Sequence, residues 1–143
     1  MSRKAKDLDT LIRLNKWTVD ERQRELGVLQ QRETEWILFG ESLDKQLLRE
    51  QKVASEDPTS AGLIYAAFAT NHRVRREQLQ LALHNLRIEI EQSRDRLAEA
   101  YRGLKVYEEV QKTRAKHERE EEARVEQLTL DEIGQIQHQR KQR

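Results

Sequence analysis

The chain has 143 residues, of which 37% are charged and 5% aromatic, with 27 Lys and Arg set against 26 Asp and Glu for a net charge of +1. That near-balance argues against a dedicated nucleic-acid binder, which needs a basic excess along one face. With no cysteine there is no disulfide framework, thiolate metal site or cysteine nucleophile. No window approaches the roughly 18 uninterrupted apolar residues of a membrane-spanning helix, and the opening Met-Ser-Arg-Lys-Ala-Lys-Asp lacks the apolar run of a secretory signal.

A first helix is predicted from about residue 7 to about 54. Apolar residues recur there at alternating steps of four and three: Leu8, Ile12, Asn15, Val19, Arg22, Leu26, Leu29, Glu33, Trp36, Gly40, Leu43, Leu47. Such a ladder holds one stripe of a helix against a partner helix over many turns. Asp7 or Asp9-Thr10 supplies the N-terminal cap. Asn15 reads as a register-fixing polar rung, while Arg22 and Glu33 are long enough to snorkel out of a thin seam. Gly27 and Gly40 each cost about 1 kcal/mol relative to alanine, without a second breaker beside them.

The turn is placed at residues 55–60, around Pro58, the one proline of the chain. Asp57 is a fitting N-cap and Pro58 a fitting first helical residue. The second helix is predicted from about 58 to about 127, followed by a less ordered tail, 128–143. Its ladder is Leu79, Leu83, Leu86, Ile90, Ser93, Leu97, Ala100, Leu104, Tyr107. The expected fold is therefore all-α: a single domain, 1–143, forming a long antiparallel two-helix coiled-coil hairpin with a longer second helix. At 1.5 Å per residue the first helix is roughly 70 Å long and the second roughly 100 Å. The second should overhang the first by about 30 Å over the charged stretch from Lys112. Beyond it, Val125, Leu128, Leu130, Ile133 and Ile136 form an apolar patch about one residue out of step with the ladder, which the hairpin does not need for closure.

No catalytic constellation emerges. His117-Glu118-Arg119-Glu120-Glu121 begins like a zinc-protease helix motif but lacks the second histidine. The histidines at 72, 84, 117 and 138 show no ligand spacing, and the five glycines are isolated, so no phosphate loop exists. Carboxylates without a water-excluding pocket have nothing to shift their pKa values for acid–base work. The expectation is a non-enzyme with no cofactor. Aromatic residues are the better signal. Trp36, Phe39 and Leu43 fall at helical steps on the first helix, and Tyr65, Phe68 and His72 on the second, and a fold at Pro58 brings the groups toward each other. Trp36 and Leu43 lie on seam rungs; Phe39 and Phe68 do not and should be more exposed, either packing the tip or offering a docking face.

The basic start (Arg3, Lys4, Lys6), the Leu8-x2-Leu11-Ile12 opening, the polar turn at Ser55–Gly62, the longer second helix, the segment Leu128-Thr129-Leu130-Asp131-Glu132 and the basic end (Arg140, Lys141, Arg143) together resemble the FliJ family of flagellar type III export proteins, over the whole chain. The resemblance implies a coiled coil similar to the central stalk of rotary ATPases. It implies three partners: the flagellar export ATPase ring, the cytoplasmic domain of the membrane-embedded export gate, and export chaperones. Carried over residue by residue, the ATPase-facing set is Leu8, Leu11, Ile12, Leu128, Leu130, Asp131, Glu132 and Ile133. The gate-facing set is Trp36, Phe39, Leu43, Tyr65, Phe68 and His72, although their aromatic types depart from the family's usual pattern. The chain would then be cytoplasmic and peripheral on the membrane. An injectisome stalk of the same architecture and a generic dimeric coiled-coil scaffold are the alternative readings.

Overall fold

A computed structural model describes residues 3–56 and 61–142. They form two helices, α1 (Arg3–Glu56, 54 residues) and α2 (Ala61–Lys141, 81 residues). The expected all-α hairpin with a longer second helix is what the chain adopts, with no strand among the described residues. Residues 57–60, which carry the expected cap at Asp57 and the proline, lie outside the described residues.

The helix ends differ from expectation in three places. α1 starts at Arg3, so Asp7, Asp9 and Thr10 are interior positions and none is the N-cap. The Thr10 hydroxyl instead donates to the Lys6 carbonyl, 3.0 Å away and one turn back, a bond a helix-interior threonine makes at little cost. At the other end Ser55 and Glu56 remain helical, and Ser55 Oγ donates to the Lys52 carbonyl at 2.7 Å. The largest difference is in α2, which continues past residue 127 to Lys141. Thr129 donates to the Val125 carbonyl at 3.0 Å, so it does not compete with the ladder of backbone bonds. Gly134 alone costs about 1 kcal/mol, too little to end a helix flanked by Gln, Glu, Ile and Leu.

The packed residues group into two units, one built from the described residues of 1–17 and 101–143, the other from 18–100. In the first, Leu8, Ile12 and Leu104 are buried, and Gln111 Nε2 donates to Asp9 Oδ1 at 2.7 Å. In the second, Val19, Leu43, Leu79, Leu83, Leu86 and Ile90 form the core, and Arg87 Nε meets Glu33 Oε2 at 3.2 Å. Glu33 pairs with Arg87 while Asp44 pairs with Arg76. Partners descend α2 as they climb α1, so the helices are antiparallel.

Every predicted rung is buried or half-buried. A two-helix seam has a single row of inward positions per helix, so the four–three spacing alone decides what is covered. The polar rungs behave individually. Asn15 Nδ2 donates to its own helix, to the Leu11 carbonyl at 2.7 Å, while its Oδ1 lies against Gly103 of α2. Arg22 turns along α1 to Glu25 at 3.1 Å. Glu33 does not merely snorkel, because it reaches Arg87 across the seam.

Gly40 has a packing reason. A Cβ there would stand 2.9 Å from Leu79 Cδ2 and collide with the Arg76 guanidinium. The missing side chain lets α2 approach and leaves room for that guanidinium. Gly27 has open space around it.

Candidate interaction surfaces

The second unit holds the aromatic set. Leu43 is 5% exposed and belongs to the core. Trp36, Tyr65, Phe68 and His72 are half-buried, and Phe39 is 51% exposed. Phe39 thus matches its expected exposure and Phe68 does not. Running the ladder back from Leu79 in steps of three and four reaches Arg76, His72, Ala69 and Tyr65, all half-buried. Phe68 flanks the Ala69 rung and is covered from that side. Leu43, Phe68 and His72 line one small cleft together with Asn71 and Arg75, whereas Trp36, Phe39 and Tyr65 lie outside it.

At the same level is an interhelical ion cluster that the sequence reading did not single out. Arg76 grips Asp44 with two parallel bonds, Nε to Oδ1 at 3.0 Å and Nη2 to Oδ2. His72 Nε2 donates to the same Oδ1 at 3.0 Å. The Arg76 hydrogen bonds hold the Asp44 carboxyl below the usual carboxylate value, with His72 adding to the effect, against a smaller opposing push from burial. The signal was available: Asp44 follows a seam rung, and Arg76 is itself a rung of the extended ladder.

A pH dependence follows. Asp44 titrates lower folded than unfolded, so its contribution is fully present above the unfolded value near pH 4 and is lost as pH falls through the lower folded value. The Asp44 side chain is 48% exposed, which places the pair within the range of roughly 0.2–1 kcal/mol for solvent-screened ion pairs. Chemical denaturation should find Asp44→Asn less stable than the parent by up to about 1 kcal/mol near neutral pH, with the gap narrowing as pH falls below the unfolded carboxylate value of about 4. A gap that persists in acid would mean that the ion pair is not its source.

The first unit holds the other expected set. Leu8 and Ile12 are 6% and 7% exposed and are taken up by the seam, while Leu11 points outward at 39%. A groove of about 560 Å³ opens where α1 begins, lined by Lys4, Ala5, Asp9, Arg114 and Glu118 among others. From Glu109 to Lys141 every residue of α2 is exposed. Leu128, Leu130 and Ile133 are 53%, 55% and 47% exposed, and Val125 and Ile136 join them. Asp131 accepts a bond from Gln127 Nε2 at 3.1 Å, and Glu132 is exposed. The ATPase-facing set is therefore not one continuous surface: Leu8 and Ile12 shape the seam, and the α2 members are exposed but spread around the helix. Sequence reasoning also passed over Trp17, Leu63 and Ile64, which are 60%, 84% and 67% exposed. They sit off the ladder, where periodicity carries no signal.

Among the described residues, no three His, Asp or Glu side chains come together to hold a metal ion, and no helix is long and apolar enough to cross a membrane. The family model described as flagellar FliJ protein matches residues 4–143. No curated protein and no solved structure matches.

Proposed function

The chain belongs to the flagellar FliJ protein family, a component of the flagellar export apparatus, and on that premise we propose that it is a non-enzymatic, stalk-like coupler between the export ATPase ring and the cytoplasmic domain of the export gate. The observation that carries the reading is the uncovered apolar stripe of α2, Val125, Leu128, Ile133 and Ile136, with Leu130 exposed beside it. Five large apolar side chains near half exposure on one helical segment mark a surface that a partner covers. On this reading the ATPase takes that face with Leu11, Asp131 and Glu132, while Leu8 and Ile12 fix the geometry of the unit beneath. The gate takes Phe39 and the flanks of Trp36, Tyr65, Phe68 and His72, with Leu43 as the buried support. Export chaperones are the third partner. The chain works in the cytoplasm, peripheral to the membrane, and needs no cofactor or nucleic acid. Coupling of this kind requires a helix pair that resists bending, which packed helices supply better than a lone helix.

The test is co-sedimentation with the purified export ATPase of the same system, together with swimming assays in a deletion strain. The parent chain should bind and restore motility. Leu128→Asp with Ile133→Asp should lose binding by at least about tenfold, since each buried apolar side chain is worth roughly 1.5–3 kcal/mol. No binding by the parent chain, with normal swimming in the deletion strain, would remove the proposal.

A further inference from the structure

The apolar face of α2 has a second property: it is a palindrome. Val125 and Ile136 are equally far from the midpoint between Leu130 and Asp131, and so are Leu128 and Ile133. At 100° per residue these four fall within about 140° of one another around the helix, while Leu130 lies about 60° outside that arc and is not part of the repeat. Two pairs of charges toward the ends share that centre with opposite sign, whereas Glu122, Arg124 and Glu126 mirror glutamines. Glu120 and Glu121 on one side mirror Lys141 and Arg140 on the other. Among the described residues Arg140 and Lys141 make no intrachain ion pair, while Glu120 and Glu121 have only i,i+3 and i,i+4 partners along their own helix.

We propose that this face pairs antiparallel with the same face of a second copy of the chain, about a two-fold axis between Leu130 and Asp131. Such an axis sets Val125 against Ile136 and Leu128 against Ile133, twice over, and places Glu121 of each copy beside Arg140 of the other. A two-fold contact requires a self-complementary patch, and a palindrome with inverted charge is one. Parallel pairing would instead stack Glu118–Glu122 on its own copy and His138–Lys141 on its own, like charge on like. One element opposes the pairing: Glu132 lies within the stripe and faces Thr129 of the other copy, its long side chain leaning out to water. A face with four apolar rungs per copy is small by the standard of stable complexes, so the dissociation constant should lie at about 10–100 µM. The pairing does not depend on the ATPase reading. The two uses engage the same side chains, so self-pairing and ATPase docking exclude one another.

The experiment uses the full chain alone. Sedimentation equilibrium should show a concentration-dependent dimer. Arg140→Glu should weaken it by about tenfold, because two screened ion pairs become two repulsions, and adding Glu121→Lys to that variant should restore it. Arg140 and Glu121 are both exposed and outside the seam, so helicity by circular dichroism should stay constant through the series. Orientation is read by disulfide capture, which the cysteine-free sequence permits. A mixture of Val125→Cys and Ile136→Cys chains should cross-link to each other, and Val125→Cys alone should not. A chain that stays monomeric up to about 500 µM, well above the expected constant, overturns the proposal. So does a dimer indifferent to the charge swap, and so does cross-linking of Val125→Cys to itself.

Discussion

Ile90→Ala should lower the unfolding free energy by about 2–3 kcal/mol, toward the low end of the range for large-to-small substitutions in cores. Ile90 and Leu86 are each 3% exposed, the best-covered large apolar side chains of the second unit. In a seam one row deep there is no second layer to close over the three deleted carbons, so the lost burial is not recovered by repacking. The same openness lets water reach the gap, which keeps the cavity penalty small and the total below that of a globular core. Leu81→Ala is the control on the same helix: Leu81 is 64% exposed, and its removal should stay within about 0.5 kcal/mol. Urea titration followed by helical circular dichroism measures both. Equal effects at the two positions would mean that the seam is not the source of stability.

Ser93 is expected to act in the opposite direction. It is 1% exposed, and its hydroxyl has no hydrogen-bond partner. A buried hydroxyl without a partner costs about 1–3 kcal/mol of desolvation, and serine is a poorer helix former than alanine by a few tenths. Ser93→Ala should therefore stabilise the chain by about 1 kcal/mol, allowing for partial relief by local motion. Ser93→Leu follows the periodicity of the neighbouring rungs but forces a large side chain into a filled position, and should cost about 1–3 kcal/mol. The pair of variants separates polarity from size. Loss of stability in Ser93→Ala would reveal a partner for the hydroxyl, such as a bound water.

The seam was legible because a two-helix interface leaves each residue one question, inward or outward, and spacing answers it. That is why even Arg22 and Glu33, polar by type, sit half-buried where the ladder puts them. What each polar rung does there was not legible. Asn15 turned to its own helix and Glu33 to the other, a choice set by which side chain stands opposite and not by spacing. The extension of the ladder through Arg76, His72, Ala69 and Tyr65 was missed because only one of the four is a large, mainly apolar residue, so hydrophobicity hid a period that geometry keeps. Phe68 was misplaced for the same reason. α2 persists to Lys141 despite the charge density of its C-terminal half and Gly134. Helix propensity, summed over Gln, Glu, Ile and Leu, outweighs them. The family was legible from terminal motifs and overall pattern, whereas Leu8 and Ile12 show the limit of carrying contact residues across: both are apolar and near the start, yet the seam already covers them.

Because the same seven-residue unit repeats along both helices, length is a separable property of this molecule. Removing one heptad from α1 and the matching heptad from α2 within the second unit, clear of Gly40 and the Asp44–Arg76 grip, would bring every remaining rung back against a rung of the same kind. Removing a heptad from one helix only would slide each side chain past its partner by about 10 Å, leaving the facing stripes intact but mismating Glu33 with Arg87. Length can therefore be tuned within that unit by paired insertions and deletions without redesigning the packing, and the close approach at Gly40 together with the interhelical ion pairs resists a slip between registers.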